Sequence, residues 1–371
     1  MSKIKMTTIA WIVSPFGNNT TSDEGQDLVQ FSTHGNDTIF FQYPPQLVDF
    51  AAACFIVFTV VGVFGNFVSI LALSKSEKLR NTTTAFIVNL CVADLLFSGF
   101  SMPLSALTFL ERDWNYGEVL CKLFPLVRYS NGAVSIFSVI AITINRYVLI
   151  VHPTIYREMY TVKNIAIMIG LIWISALGLL MFPLFEVWGR FGYDPQVGTC
   201  TILKLNGQSP KMSIYVAAFG IPSLVFLVCY SRIFWVVHKT ALRVKKDSID
   251  YTIQNSVTFS SKKGVFWKNY RHSEMENAKT SLKRSKQELK VLKMLMIIFV
   301  TFILCYFPVS FVKIFKKEDD WPILNTFGYL GVYFSNIINP VIYIVMSYEY
   351  RKAYIQLFCP NSNRTPKSSI I

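Results

Sequence analysis

The chain has 371 residues, of which 52% are hydrophobic and only 16% are charged, and its mean hydropathy is +0.40. A soluble protein of this length usually carries roughly a quarter charged residues, so an ordinary water-soluble enzyme is disfavoured. The net charge of +14 does not indicate nucleic-acid binding, because the basic residues lie between long apolar runs rather than on one basic domain.

Seven apolar segments follow one another along the chain, each long enough for the helix of about 20 residues that crosses a bilayer. The predicted spans are Val48–Leu73, Thr84–Leu107, Gly117–Val151, Lys163–Leu184, Met212–Val237, Leu289–Phe315 and Pro322–Met346. Each must be helical, because an isolated strand would leave backbone groups unpaired in lipid. Five spans contain an internal proline, which a packed membrane helix accommodates as a kink. These prolines are Pro103, Pro183, Pro222, Pro308 and Pro340. The sequence therefore predicts an all-α membrane protein, a seven-helix bundle over residues 48–346.

The distribution of Lys and Arg predicts the orientation. The connection between the fifth and sixth spans, 239–288, is strongly basic, whereas the N-terminal tail, 1–47, is acidic. We therefore expect an extracellular N-terminus, a third cytoplasmic loop at 239–288 and a cytoplasmic C-terminus, with the protein in the cell membrane. The tail also carries three N-x-Ser/Thr triplets, which predict glycosylation. Their asparagines are Asn18, Asn19 and Asn36.

On the predicted topology, two cysteines lie on the oxidising side: Cys121 at the outer end of the third span and Cys200 in the loop after the fourth. We expect a disulfide between them, with two free thiols as the alternative. After the last span, Tyr348–Phe358 alternates apolar and basic positions and predicts a short amphipathic helix on the membrane, within the cytoplasmic segment 347–371. Cys359 follows it directly as a candidate palmitoylation site.

Seven motifs occur one per span and in order along the chain. They are Gly65-Asn66, Leu90-x-x-x-Asp94, Asn145-Arg146-Tyr147, Trp173, Pro222 with Tyr230, Cys305-Tyr306-Phe307-Pro308 and Asn339-Pro340-x-x-Tyr343. Together they resemble the rhodopsin-like (class A) G-protein-coupled receptors, over residues from about 48 to 359. Within that class the chain is similar to insect orphan receptors of the moody type, partly because it has Asn-Arg-Tyr where most members have Asp-Arg-Tyr.

Asp94 is the only acid in the middle of a span, where a carboxylate costs at least about 2.5–3.5 kcal/mol, so it should face the interior and have partners. The resemblance implies an allosteric sodium ion held by oxygen ligands, which suit a hard cation. The matching positions are Asp94, Asn131, Ser135, Ser335 and Asn339. The alternative is a structural carboxylate hydrogen-bonded to water. No other cofactor is expected.

The resemblance also implies a switch at the cytoplasmic end, where Arg146 would pair with Glu288 in the resting state and release it to open a groove for a G protein. The alternative is a surface ion pair worth about 0–1 kcal/mol. Since Asn145 cannot ionise, we expect a weaker resting restraint and raised basal signalling. The other residues of this switch are Tyr147, Tyr230, Asn339, Pro340 and Tyr343.

The ligand site is predicted in the outer half of the bundle. Arg128, Ser135 and Arg146 are 7 and 11 residues apart, so they share one helical face. Arg128 stands where amine receptors have an aspartate, which favours an anionic, lipid-like ligand over an amine. Tyr306 and Lys313 complete the predicted site, and Arg128 paired with an acid such as Glu186 is the alternative. Beneath it, Pro222, Ile136 and Phe302 match the family's packing triad, although such residues are commonly only core.

The sequence thus predicts a receptor that binds an extracellular ligand and activates heterotrimeric G proteins, with arrestin, receptor kinases and membrane lipids as further partners. No transporter repeat, channel filter or enzyme constellation such as H-E-x-x-H is found in the sequence. The alternative is a seven-helix scaffold or adhesion-type protein without G-protein coupling.

Overall fold

The computed structural model describes Phe40 and residues 43–195, 197–208, 210–257, 290–315 and 321–359, with the backbone alone at 241 and 243–257. Within these residues, seven helices are long and apolar enough to cross a membrane, so the predicted number and order of spans are confirmed. They are Pro45–Lys75, Thr82–Glu111, Gly117–Val151, Val162–Leu184, Lys211–Thr240, Lys290–Ile314 and Pro322–Met346. The fifth helix continues past the membrane to Val257, so the predicted loop at 239–288 begins as helix.

A proline accompanies a change of helix geometry in the second span, and another lies inside the third. The second span contains one π-helical turn, Phe97–Ser101, between the α-helical parts Thr82–Leu96 and Met102–Glu111. Pro103 lies two residues after this turn and cannot donate a backbone hydrogen bond, so the widened turn adjusts the pairing of the carbonyls before it. The third span also contains a proline, Pro125, which the sequence analysis did not include among the internal prolines.

Buried amides join the spans to one another. The Asn66 amide donates to the carbonyl of Asn336 at 3.0 Å and ties the first span to the seventh. The Trp173 indole donates to Asn89 at 2.9 Å, and Asn89 donates to Ser138 at 2.8 Å, so the second, third and fourth spans share one polar contact. In a bundle packed in lipid such bonds add specificity where apolar burial cannot.

The sixth and seventh spans approach closely at two glycines. A Cβ atom on Gly331 would lie 2.8 Å from the Cys305 carbonyl oxygen, and one on Gly328 would lie 2.7 Å from the Val309 nitrogen. The two glycines are one helical turn apart, so the close contact runs along one face of the seventh span. Small residues at a membrane helix interface permit this separation.

A β-hairpin covers the end of the bundle at which the third span begins, an element that was not predicted from the sequence in an all-α fold. Its strands, β1 (Arg190–Asp194) and β2 (Thr199–Leu203), are antiparallel, with Tyr193 opposite Cys200. The predicted disulfide between Cys121 and Cys200 is present and fastens β2 to the start of the third span. Lys211, at the start of the fifth span, lies 3.3 Å from Asp194 and holds the other strand.

Two short helices lie at the opposite end. Pro153–Met159 follows the third span, and the amphipathic helix predicted at Tyr348–Phe358 is present with those bounds. The latter buries Tyr350, Ala353 and Tyr354 against the bundle, and the Tyr354 hydroxyl donates to Ser69 at 2.6 Å. Removal from water raises the pKa of the Tyr354 hydroxyl. Residues 360–371 and 1–39 lie outside the described part.

Candidate functional site

A carboxylate in the middle of the bundle connects three spans. Asp94, on the second span, is 1% exposed. Its oxygens accept hydrogen bonds from Ser135 of the third span at 3.1 Å and from Asn339 of the seventh at 2.8 Å. A hydrogen bond to a charged acceptor stabilises by about 1.5–3 kcal/mol, roughly twice a neutral one, so these two bonds offset part of the cost of burying the charge.

A small cavity lies beside Asp94, with a volume of about 20 Å³, enough for one water molecule or one monatomic ion. Ser135, Ser335 and Asn339 line it, as predicted for a cation site, and so does Asn336. Asn131 does not line it, since Asn131 is a full helical turn nearer the start of the third span than Ser135. The described residues contain no cluster of three His, Cys, Asp or Glu side chains. One carboxylate with hydroxyl and amide oxygens suits a monovalent cation or water better than a transition metal.

In the half of the bundle nearer the hairpin, two cations face one aromatic ring. The Arg128 guanidinium lies 5.3 Å from the ring centres of both Tyr329 and Tyr333 and 5.9 Å from that of Phe124. The Lys313 ammonium lies 5.6 Å from the same Tyr329 ring. These are cation–π distances. No ion pair in the described part of the chain includes Arg128, so the alternative pairing with Glu186 is not found there.

Below these cations, aromatic rings fill the bundle. Tyr306 stacks on Phe302 at 4.2 Å between ring centres. Phe302 and Ile136 are both buried, as is Pro222. Tyr306 and Phe302 also line the cavity beside Asp94. Of the residues predicted around the ligand, Tyr306 therefore also borders the predicted ion site, whereas Arg128 and Lys313 do not line its cavity.

At the opposite end of the third span, Asn145 and Arg146 are both buried. Asn145 accepts a hydrogen bond from Thr83 of the second span at 2.7 Å. It donates to the Tyr156 hydroxyl at 3.4 Å; Tyr156 belongs to the short helix Pro153–Met159, here called the loop helix. The neighbouring Tyr147 hydroxyl lies 3.4 Å from His152. Glu288, the predicted partner of Arg146, lies outside the described residues, as do Asn18, Asn19 and Asn36.

Tyr230 and Tyr343 both lie in the interior near this end. The Tyr230 hydroxyl donates to the Leu292 carbonyl at 3.1 Å and joins the fifth and sixth spans. The Phe226 ring stacks between the rings of Tyr230 and Phe299, with its centre 4.0 Å from that of Tyr230 and 3.6 Å from that of Phe299. This stack is a second contact between the fifth and sixth spans. Tyr343 is fully buried in the seventh span, next to Asn339-Pro340, and its hydroxyl has no hydrogen-bond partner among the described residues.

Several contact residues were missed by the sequence analysis. Tyr329 could have been found, because it lies one helical turn before Tyr333 on the face that meets Arg128. Thr83, Tyr156 and Phe299 carried no such signal, since they reach their partners from other elements. Cys359 is exposed directly after the terminal helix, where lipidation requires it to be.

The chain is similar in sequence to known membrane receptors. The profile of the family described as "7 transmembrane receptor (rhodopsin family)" matches residues 65–343. The protein described as "G-protein coupled receptor moody" from Drosophila pseudoobscura pseudoobscura is 35% identical over 86% of this chain and 54% of its own length. "Protein trapped in endoderm-1" from Drosophila melanogaster is 34% identical over 85% of this chain and 79% of its own length.

More distant relatives include "Melatonin receptor type 1B-B" from Danio rerio, at 26% identity over 85% of this chain and 83% of that protein. Among solved structures, that of squid rhodopsin has a TM-score of 0.70 at 21% identity and covers 86% of this chain and 87% of its own. This last likeness concerns the fold alone. The chain spans about half the length of the moody relatives that it matches.

Proposed function

We propose that this chain, which belongs to the rhodopsin family of seven transmembrane receptors and is a multi-pass membrane protein, binds an extracellular ligand and activates heterotrimeric G proteins. The observation that carries the proposal is the set of polar groups buried at three levels of the bundle interior. Arg128 packs on the rings of Tyr329 and Tyr333. Asp94 and Tyr306 line one cavity further along, and Asn145 and Arg146 are buried at the other end. Family members are receptors, so no catalytic role is assigned.

The proposed orientation places the disulfide end outside. A disulfide persists in an oxidising compartment, and Cys121–Cys200 lies at the start of the third span. Arg146 lies about 18 residues beyond Arg128 on that span, or about 27 Å at 1.5 Å per residue, and so reaches the other face of the membrane. Exposed Lys75, Lys78 and Arg80 follow the first span on that side, as the positive-inside rule requires.

We propose that Asp94 holds an allosteric sodium ion with Ser135 and Ser335 as neutral oxygen ligands. The cavity has room for one ion, and the Asn339 amide leaves carboxylate lone pairs available because it engages one oxygen only. A bound cation would favour the arrangement in which the second, third and seventh spans converge on Asp94, so sodium should lower the affinity of an activating ligand.

The proposed switch acts at Arg146. In the family, a neighbouring carboxylate restrains this arginine, whereas here Asn145 supplies a neutral amide that is engaged by Thr83 and Tyr156. The hydrogen bond from Tyr230 to Leu292 joins the fifth and sixth spans, as do stacked rings. Outward movement of the sixth span would break that bond and free the Tyr230 hydroxyl to turn toward Arg146.

The proposed ligand is anionic, with a large apolar part. Arg128 is encased by aromatic rings, and Lys313 adds a second cation beside the same Tyr329 ring. A carboxylate or phosphate would pair bidentately with the guanidinium, while the rings contact an apolar body. Replacing Arg128 by Ala should abolish the potency of an acidic ligand, and unchanged potency would refute the assignment. A response to melatonin, which the more distant relatives are named for, would refute it as well.

Nucleotide exchange decides between a receptor and a scaffold. The chain in lipid nanodiscs should accelerate nucleotide exchange on purified heterotrimeric G proteins even without ligand, because Asn145 gives a weak resting restraint. Arg146→Ala should abolish the acceleration, whereas Arg157→Ala, an exposed arginine of the loop helix, should leave it intact. Exchange no faster than with empty nanodiscs for every G-protein class would favour the scaffold alternative.

Further partners follow from the same proposal. Receptor kinases would phosphorylate Ser and Thr of the third loop and tail, and the added negative charge would attract arrestin. Palmitoylation of Cys359 would anchor the terminal helix on the membrane. Glycosylation at Asn18, Asn19 and Asn36 belongs to the proposed extracellular tail.

A further inference from the structure

Two cavities adjoin on the lipid-facing surface of the bundle, near the end that carries Arg146. The first, here called the apolar groove, lies between the third and fourth spans and has a volume of about 370 Å³, within the range of about 300–1,000 Å³ that holds small ligands. Ile144 and Leu171 on its walls are 38% and 55% exposed, so the groove opens sideways to the bilayer. Its other apolar walls include Phe86, Phe137, Ala141 and Met168.

The second cavity, here called the basic groove, has a volume of about 570 Å³ and lies between the ends of the first, second and fourth spans. Arg80 lines it together with the polar residues Ser74 and Asn81. Arg80 is exposed, and the ion pairs found in the described residues do not include it. This connection also carries Lys75 and Lys78, with Glu77 as its one acid.

Tyr160 is a wall of both grooves, so the two cavities meet at its ring. Its ring also packs on that of Tyr156 at 4.8 Å. Burial raises the pKa of Tyr160 to about 12, against the opposing effect of a hydrogen bond with Asn145. The hydroxyl is therefore neutral at physiological pH and presents no charge that would repel an anion.

We propose that the paired grooves bind one anionic phospholipid of the cytoplasmic leaflet, with the headgroup phosphate at Arg80 and one acyl chain in the apolar groove. The proposal uses the orientation given above only to name the leaflet. An apolar compartment that opens to the bilayer, joined to a basic compartment at the level of the helix ends, matches an amphipathic anion. A soluble anion would leave the apolar groove empty, and a neutral sterol would leave Arg80 unused.

The position of the grooves gives such a lipid a route to the switch. Asn145 contacts Thr83 and Tyr156 and lies beside Arg146. A lipid packed against Tyr160 would therefore influence the hydrogen bonds of Asn145 with Thr83 and Tyr156 from the membrane side.

Native mass spectrometry of the full chain tests the proposal without any G protein or ligand, so its failure is distinct from failure of the receptor assignment. The probe is phosphatidylserine, compared with phosphatidylcholine, titrated into detergent-solubilised protein. A surface arginine contributes about fivefold to the binding of an anionic lipid, so Arg80→Gln should weaken phosphatidylserine binding about fivefold and leave phosphatidylcholine unchanged. Arg351→Gln, an exposed arginine of the terminal helix outside both grooves, is the matched control and should change neither.

A second variant tests the acyl-chain compartment. Ala141→Phe would fill the apolar groove and should weaken binding of both lipids. Glycerophosphoserine, which has the headgroup and no acyl chains, should fail to displace phosphatidylserine. The proposal is overturned if Arg80→Gln binds phosphatidylserine within twofold of the unmodified chain, or if the chain-free headgroup competes as well as the lipid. Because Arg80 is exposed, its substitution leaves the fold intact and keeps the test valid even if Ala141→Phe does not fold.

Discussion

Replacing Asp94 by Asn or by Ala should separate the ion site from the structural role of this residue. In the asparagine variant, the side-chain oxygen can still accept from Asn339 and the amide nitrogen can donate to the Ser135 hydroxyl, so both contacts persist as neutral hydrogen bonds. The change from charge-assisted to neutral bonds costs about 1 kcal/mol each. Removal of a buried charge offsets part of that cost.

The alanine variant loses both contacts instead. Leaving two buried donors unpaired costs about 1–3 kcal/mol each, or about 2–6 kcal/mol together. At roughly 2 °C per kcal/mol for a domain of this size, we expect the alanine variant to melt about 4–12 °C lower and the asparagine variant to remain close to the unmodified chain.

The dependence of Tm on sodium is a second measurement on the same variants. A ligand at ten times its Kd stabilises the folded state by about 1.4 kcal/mol, which corresponds to a rise in Tm of about 3 °C. We expect this rise in sodium chloride relative to choline chloride at equal ionic strength for the unmodified chain only. Thermal unfolding in nanodiscs measures it. An equal sodium effect in the asparagine variant, or no effect in the unmodified chain, would contradict the assignment of an ion to Asp94.

Three further substitutions test other parts of the structure. Asn145→Asp keeps an acceptor for Thr83 and adds a negative charge beside Arg146, so basal nucleotide exchange should fall severalfold, and an unchanged rate would contradict the switch. Trp173→Phe removes the indole donor to Asn89, and chemical denaturation or thermal unfolding should show a loss of about 1 kcal/mol; a larger loss would mean that the ring's packing dominates. Gly331→Val places a side chain against the Cys305 carbonyl and should lower Tm by several degrees, whereas a silent change would mean that the sixth and seventh spans separate freely.

The positions of the spans could be predicted because hydropathy and helical length are properties of continuous segments. Predicted and observed bounds coincide for Gly117–Val151 and Pro322–Met346. The hairpin could not be predicted in the same way. Its strands have five residues each, too few to give the long alternating pattern by which a strand is identified in a sequence.

Some residues of the candidate sites could likewise be predicted from the sequence, and others could not. Asp94 stood out because a lone carboxylate in a span is costly, and its contact with Asn339 was implied by the family resemblance. The absence of Asn131 from the cavity could not be predicted. The family resemblance indicates which helical face carries the ligands, but not which of two successive turns on that face reaches so small a cavity. The partners of Asn145 belong to two other elements, and only the packed structure brings Thr83 and Tyr156 to it.

The central claim is that the bundle has two arrangements that differ at the inner end of the sixth span and that a G protein selects the open one. A distance measurement by electron paramagnetic resonance tests this most directly, with spin labels at Ile155 of the loop helix and Lys293 of the sixth span, after replacement of the exposed Cys359 by serine. The account predicts that a nucleotide-free G protein lengthens this distance and that Arg146→Ala prevents the change. An unchanged distance in a complex that exchanges nucleotide would contradict it.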